Sequence, residues 1–292
     1  MKGFTLMNQY LSYFYILASG TLWGAIGLFN RYLTAGGFSP YSIVFVRNIG
    51  SLIVLALIFL IFDRSVFQIK WKHLPYFLGT GIVSILLFTL CYFSCQQICS
   101  LATAAILLYT APTFVVIISS ILWKDKITKH KIIALVIAFL GCTFVTGVWS
   151  GNLSLSALGL LLGVGSGFFY GLYSIFARYA LKHYQPLTVT FYTFLFAGIG
   201  SLFLIRPSEL NIGFSSPKML MLVLGLIVVS TVLPYILYTK GLAMTDSGKA
   251  SILASIEPVI AALVGILVFG EPASFTVLLG LICILISVYI LR

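Results

Sequence analysis

The sequence predicts an all-α polytopic membrane protein: ten transmembrane helices forming two inverted five-helix repeats, with both termini cytoplasmic. Three observations carry that prediction. Hydrophobic residues make up 61% of the 292-residue chain and charged residues 8%, at a mean hydropathy of +1.13, so there is too little polar surface to clothe a water-soluble globule. The apolar residues gather into runs of about 20, the length that crosses a bilayer core as a helix. Finally, positions about 147 residues apart repeat one another.

In chain order the runs fall at 11–33, 41–62, 74–96, 101–123, 131–149, 156–180, 186–205, 218–243, 250–269 and 274–291. The first follows a single Lys2 and has no small-residue cleavage signature, which predicts a retained helix. The second opens after Pro40 and carries Arg47 seven residues in, too deep for effortless snorkelling. In the third, Cys91, Cys95 and Cys99 recur every four residues on one helix face. With no His or carboxylate nearby to complete a metal set, packing is their expected role. The fourth contains Pro112 and the ninth Pro258, each freeing a carbonyl one turn back, at Leu108 and Ala254, and bending its helix. The sixth carries Gly163, Gly167 and Gly171, and the first Gly20 and Gly24, a spacing that lets backbones approach closely. Short connectors at 97–100 and 270–273 make their flanking helices antiparallel neighbours. No soluble domain fits between the runs.

With ten crossings, only Arg31, Arg47, Arg206 and Lys218 of the 17 Lys and Arg residues fall on the face opposite the termini. That asymmetry places both termini in the cytoplasm, with Lys2 and Arg292 among the inner charges. It also accounts for the net charge of +11 without nucleic acid as a partner. His73, His130 and His183 lie in the basic connectors and are expected at the interface.

The repeat is the most informative large-scale feature. At an offset of 147, Ser19, Gly20, Gly24, Phe29, Arg31 and Tyr32 fall on Ser166, Gly167, Gly171, Phe176, Arg178 and Tyr179. At 146, Pro40, Gly79, Ser84, Tyr92, Ala104 and Pro112 fall on Pro186, Gly225, Ser230, Tyr238, Ala250 and Pro258. The halves are 1–150 and 151–292. Five spans apiece invert the second half, and inverted halves suit a shared site opened to alternate faces.

The most unusual stretch is 250–269. It holds Glu257 eight residues beyond Lys249, hence about 12 Å along a helix rising ~1.5 Å per residue and inside the hydrocarbon layer. Ionisable groups at such depth usually line pathways, although a neutral, hydrogen-bonded carboxyl is the packing alternative. Lys240 near the end of the eighth helix is expected to reach Glu257 in a gate, or else to snorkel to the phosphates. Trp23 and its mate Tyr170, Tyr92 and its mate Tyr238, and Tyr109 near Pro112 are the candidate pocket lining. Arg47 is the candidate partner for a substrate carboxylate. Arg31 and Arg178 sit at helix ends, where anchoring is expected.

The residues YTKGL at 238–242, SGKASILASIEP at 247–258 and FGEP at 269–272 resemble the second repeat of the EamA-type transporters of the drug/metabolite transporter superfamily. Trp23–Gly24, Arg47 and the segment Ala104 to Pro112 resemble the first. The resemblance implies a central cavity between the halves, with the fifth and tenth helices peripheral. One departure stands out: Ala111 and Asp125 occupy the positions of Glu257 and Glu271, so the halves are not chemically equivalent.

The expected function is therefore a secondary transporter that moves a small organic metabolite or amino acid by alternating access, the direction implied by the resemblance being export. No nucleotide-binding Gly-rich loop with GlyLysSer/Thr occurs in the sequence, so direct ATP use is not expected, nor is a cofactor. Protons are a candidate coupling ion through Glu257, and facilitated transport fits equally. A flippase for a lipid-linked substrate and a multidrug efflux carrier are the alternatives. A membrane enzyme is disfavoured, because no nucleophile and base, paired carboxylates or metal cluster share a depth.

Overall fold

The computed structural model describes residues 2–146 and 156–291, with side chains from Gln9 onward and Leu210 excepted. Residues 147–149 of the expected fifth span, the boundary at 150/151 and Arg292 lie outside the described residues, as does the side chain of Lys2.

The described residues form helical rods. In chain order, α1 is Lys2–Gly24 continuing as Ile26–Ala35, α2 is Pro40–Phe62 and α3 is Trp71–Ile98. Next come α4, Leu101–Trp123, α5, Lys129–Val145, α6, Ala157–Ala180, and α7, Pro186–Ser201. The last three are α8, Pro217–Leu242, α9, Ser247–Phe269, and α10, Phe275–Ile290. Among the described residues, seven rods (Gln9–Ala35 within α1, α2, α3, α4, α6, α8 and α9) are long and apolar enough to cross a membrane. The expected run 186–205 stops earlier, because the chain turns at Leu202.

Local chemistry explains where the rods begin. Ser39, Ser100, Thr128, Ser156, Ser216, Asp246 and Ser274 each cap a helix by accepting a hydrogen bond from the backbone N–H three residues on. Pro40 and Pro217 directly follow their serine caps, and Pro186 opens α7 after Gln185, all in the first turn, where a missing N–H costs nothing.

Pro112 and Pro258 do more than bend their helices. Each rod is interrupted one turn before its proline: α4 runs as Leu101–Leu108 and Ala111–Trp123, and α9 as Ser247–Ala254 and Glu257–Phe269. The prolines then sit in the first turn of the second piece, so the freed carbonyls fall at a break near the middle of the bundle. A stretch of π-helix occupies Gly79–Leu86 in α3 and another Val228–Val232 in α8.

Packing follows the sequence repeat. Against α8 and α9 lies α1, against α3 and α4 lies α6, and α5 packs on α10. A Cβ on Gly24 would lie 2.6 Å from the Glu257 carbonyl, and one on Gly167 2.8 Å from that of Leu107, so both contacts demand glycine. Gly79 packs on Phe176, while its mate Gly225 packs on Phe29. Ser12 Oγ donates to the Gly241 carbonyl at 3.0 Å, and Cys95 Sγ to that of Gly159 at 3.4 Å. Offset positions thus make offset contacts. His73, at the start of α3, is buried, with its ring stacked on His183 at 4.2 Å between centroids.

Candidate functional site

A cavity of about 1150 Å³ opens between the rods at one end of the bundle. That end, called upper here, carries the connections α1–α2, α3–α4 and α9–α10, and the mouth is lined by Arg31, Thr34, Leu101, Glu271 and Val277. Arg47, Thr89, Tyr92, Gln96, Tyr109 and Pro258 line its walls. Its floor is aromatic. The Trp23 ring lies 5.0 Å from that of Tyr235, 5.2 Å from Tyr238 and 6.5 Å from Tyr170. Glu257 opens the second piece of α9 at this level, and Tyr170 Oη donates to its Oε2 at 3.4 Å.

Beneath the floor lies a second, much smaller chamber of about 30 Å³. Trp23, Tyr109, Tyr170, Tyr235 and Glu257 border both spaces. Tyr238 and Pro112 border only the lower one, along with Ser174, Ser251 and Ser255. Below it the bundle is shut: a Cβ on Gly248 of α9 would lie 3.1 Å from Val116 of α4. Lys131 Nζ and Asp246 Oδ1 pair at 2.9 Å, and Lys249 Nζ donates to Tyr13 Oη at 3.1 Å.

The structure thus brings Trp23, Arg47, Tyr92, Tyr109, Tyr170, Glu257 and Pro258 to the large cavity, with Tyr238 and Pro112 just below. Lys240 borders neither space, and the hydrogen bond to Glu257 comes from Tyr170, not Lys240. Depth along a helix sets height but not direction around the axis, which is why the expected Lys240–Glu257 pair is not formed here. Arg47 reaches the cavity with its Nε and Nη2 atoms buried and without hydrogen-bond partners. Its electrostatic neighbours are Tyr235, Tyr170 and Glu257. Sequence reasoning missed Tyr235. The signal was present, since it lies one turn before Tyr238 and its offset mate Thr89 also lines the cavity.

Two ion pairs that anchoring alone does not explain flank the site. At the upper end Arg31 Nη1 meets Glu271 Oε1 at 2.9 Å, with its guanidinium 4.1 Å from the Phe269 ring centroid. At the lower end the offset residues repeat this: Arg178 forks onto Asp125 and lies 4.3 Å from the Trp123 centroid. Outside the spans, Glu209 borders the α7–α8 connection. Partial burial opposes its ionisation, yet the Ser39 amide at 2.7 Å, the Ser42 and Ser39 hydroxyls and Arg206 outweigh it and hold Glu209 below the usual carboxylate range. Among the described residues no cluster of three or more His, Cys, Asp or Glu is placed to hold a metal ion.

A broken-helix site at mid-bundle, reached through a cavity open at one end, is the arrangement found in membrane carriers, and comparison with known proteins agrees. The profile of the EamA-like transporter family matches the chain twice, over residues 10–147 and 157–292. An uncharacterized transporter of Archaeoglobus fulgidus is 31% identical over 253 residues, covering 85% of this chain and 89% of that one. The uncharacterized inner membrane transporter YicL of Salmonella typhimurium is 25% identical over 282 residues, covering 94% and 93%. A protein of known crystal structure superposes with a TM-score of 0.81 at 16% identity, covering 96% of this chain and 95% of its own, which shows a shared fold. The chain is therefore a multi-pass protein of the cell membrane and belongs to the EamA-like transporter family of the drug/metabolite transporter superfamily.

Proposed function

We propose that this transporter is a secondary carrier that exports a small organic metabolite or amino acid by alternating access. The observation that carries the reading is the cavity, open at the upper end, floored by Trp23, Tyr170, Tyr235 and Glu257, and shut below. Its volume of about 1150 Å³ accommodates a metabolite-sized solute with water. Arg47, with buried N–H groups unpartnered, is positioned for a substrate carboxylate, and Glu257 for an ammonium or a proton.

In this reading α5, α7 and α10 also cross the membrane, giving ten crossings, and both termini are cytoplasmic. The upper end then faces outward. The offset contacts of Gly79 with Phe176 and Gly225 with Phe29, and the two family matches, support two inverted halves at 1–150 and 151–292. Transport needs the upper end to close as the lower one opens. Pro112 and Pro258, beside the helix breaks, are the hinge candidates, and Lys240 is left without a gating role in the upper-open state.

The test is counterflow in proteoliposomes with a pool of radiolabelled amino acids and small metabolites, with and without a pH gradient. Wild type is expected to show saturable counterflow, reduced at least tenfold in Arg47→Met for carboxylate-bearing members of the pool. Counterflow of such solutes unaffected by Arg47→Met would refute its role, and none in wild type would contradict the carrier reading.

A further inference from the structure

In this upper-open state the small chamber under the floor is closed to a metabolite, because about 30 Å³ admits nothing larger than one or two waters. Its lining is largely aromatic and apolar, yet it includes Glu257, Ser251 and Ser255. Ser251 and Ser255 are 8% and 4% exposed, border the chamber, and among the described residues have no hydrogen-bond partner for their hydroxyls. Buried helical serines elsewhere in the protein bond back to a carbonyl one turn earlier, as Ser19, Ser119, Ser166, Ser201 and Ser287 do. A hydroxyl left without a protein partner beside a water-sized space is satisfied by water there, which avoids the cost of about 1–3 kcal/mol that an unpaired buried hydroxyl carries. One turn below Ser251, Ser247 is fully buried and its Oγ also lacks a partner. Ser51, Ser84 and Ser230 are unpartnered too, but they border neither cavity.

Ser247 and Ser251 are spaced by four and share one face of the first piece of α9, and Ser255 follows at its C-terminal cap, so the three rise from the lower end to the level of Glu257. Their offset mates in α4 are Leu101, Ala105 and Tyr109, and the mate of Glu257 is Ala111. Carboxylate and serine row thus belong to the second half alone. Glu257 borders the open cavity above and the chamber below.

We propose that the chamber is a hydrated proton site, through which Glu257 exchanges a proton with the lower side along the Ser255–Ser251–Ser247 row while the floor remains closed to solute. This deepens, and rests on, the carrier reading. A proton taken by the Glu257 carboxylate from water in the open cavity passes to chamber water as hydronium. It leaves past Ser251 and Ser247 to the solvent below, returning the carboxylate to its starting state. The titratable groups facing Glu257 are Arg47 on α2, Tyr92 on α3, Tyr109 on α4, Cys142 on α5, Tyr170 on α6 and Tyr235 on α8.

The test uses the full chain in liposomes loaded with a pH-sensitive dye, with proton entry driven by a potassium diffusion potential and the pH change as the probe. Val and Thr differ by a hydroxyl at nearly equal volume, so Ser251→Val is compared with Ser251→Thr, and Ser255→Val with Ser255→Thr. Proton flux is expected in wild type, abolished by Glu257→Gln, lowered at least tenfold by either valine and restored within twofold by threonine. Counterflow of the solute pool should stay within twofold in all four serine variants. Equal flux in the valine and threonine variants, or no Glu257-dependent proton flux in wild type, would overturn the proposal. Absent counterflow beside intact, valine-sensitive proton flux would instead overturn the carrier reading and leave the proton site standing.

Discussion

Helices α4 and α9 have the same backbone plan and different chemistry. Both begin at an oxygen-bearing cap, Ser100 and Asp246, and both break one turn before a proline and resume in its first turn. Along that shared plan α4 carries Leu101, Ala105, Tyr109 and Ala111 where α9 carries Ser247, Ser251, Ser255 and Glu257. Position in the present conformation separates them further: Leu101, Ala105 and Tyr109 line the open cavity, whereas Ser251 and Ser255 face the small chamber below. The comparison teaches that the repeat preserves what a moving scaffold needs, a break at mid-depth. The carboxylate and the serine row are confined to one copy.

The largest expected effect tests that confinement. Glu257→Gln should reduce gradient-driven transport at least tenfold, and Ala111→Glu added to Glu257→Ala should not restore it, as read by vesicle uptake. Rescue would mean that either copy can serve. Next in size, Lys131→Met leaves Asp246 partly buried and without its ion-pair partner, since the side chains are 7% and 24% exposed. A loss of about 2–4 kcal/mol is expected from breaking such a pair. Gly24→Ala and its offset mate Gly171→Ala should each cost about 1–3 kcal/mol through overpacking, since the added Cβ would lie 2.6 Å from the Glu257 carbonyl and 3.1 Å from that of Ala111. Equal shifts in thermal midpoint would support equivalent packing of the halves; a tolerated Gly171→Ala beside a severe Gly24→Ala would break the comparison.

Smaller effects belong to the exposed surface. Arg31→Gln removes an ion pair whose side chains are 56% and 54% exposed and should cost under about 1 kcal/mol. Glu209 ionises more readily in the folded protein than in the unfolded chain, so its contribution is present above the ordinary carboxylate range and is lost as pH falls through its lowered folded-state value. Glu209→Gln should flatten that acid-side decline in thermal stability, and an unchanged pH profile would remove Glu209 from the account.

Much of this was legible in the sequence because lipid is a strict solvent. Runs of about 20 apolar residues mark rods, Ser39 with Pro40 and Ser216 with Pro217 mark their starts, and offset pairs such as Arg31 and Arg178 mark the repeat. A carboxylate within an apolar span, beside Pro258, pointed to the site. What stayed hidden depends on direction around a helix axis and on neighbours. Lys240 has suitable height but does not border the cavity, and Tyr235 was overlooked one turn from Tyr238. The π-helical stretch at Gly79–Leu86 has no local residue pattern to announce it, whereas that at Val228–Val232 lies just ahead of Pro234, whose missing N–H frees the Ser230 carbonyl. The complete break in α9, rather than a bend, put Glu257 at the start of a helical piece and Ser255 in the gap.

The central claim is that the open end must close for transport, with the two halves exchanging roles. At the shut end Gly248 lies against Val116; their offset mates, Ala102 and Ala262, both line the open cavity. The most direct measurement is disulfide trapping of Ala102→Cys with Ala262→Cys, after replacing the five native cysteines. The account predicts that the pair links during turnover, that linking stops counterflow and that reduction restores it. Failure to link during active counterflow, or counterflow persisting through the linked protein, would contradict it.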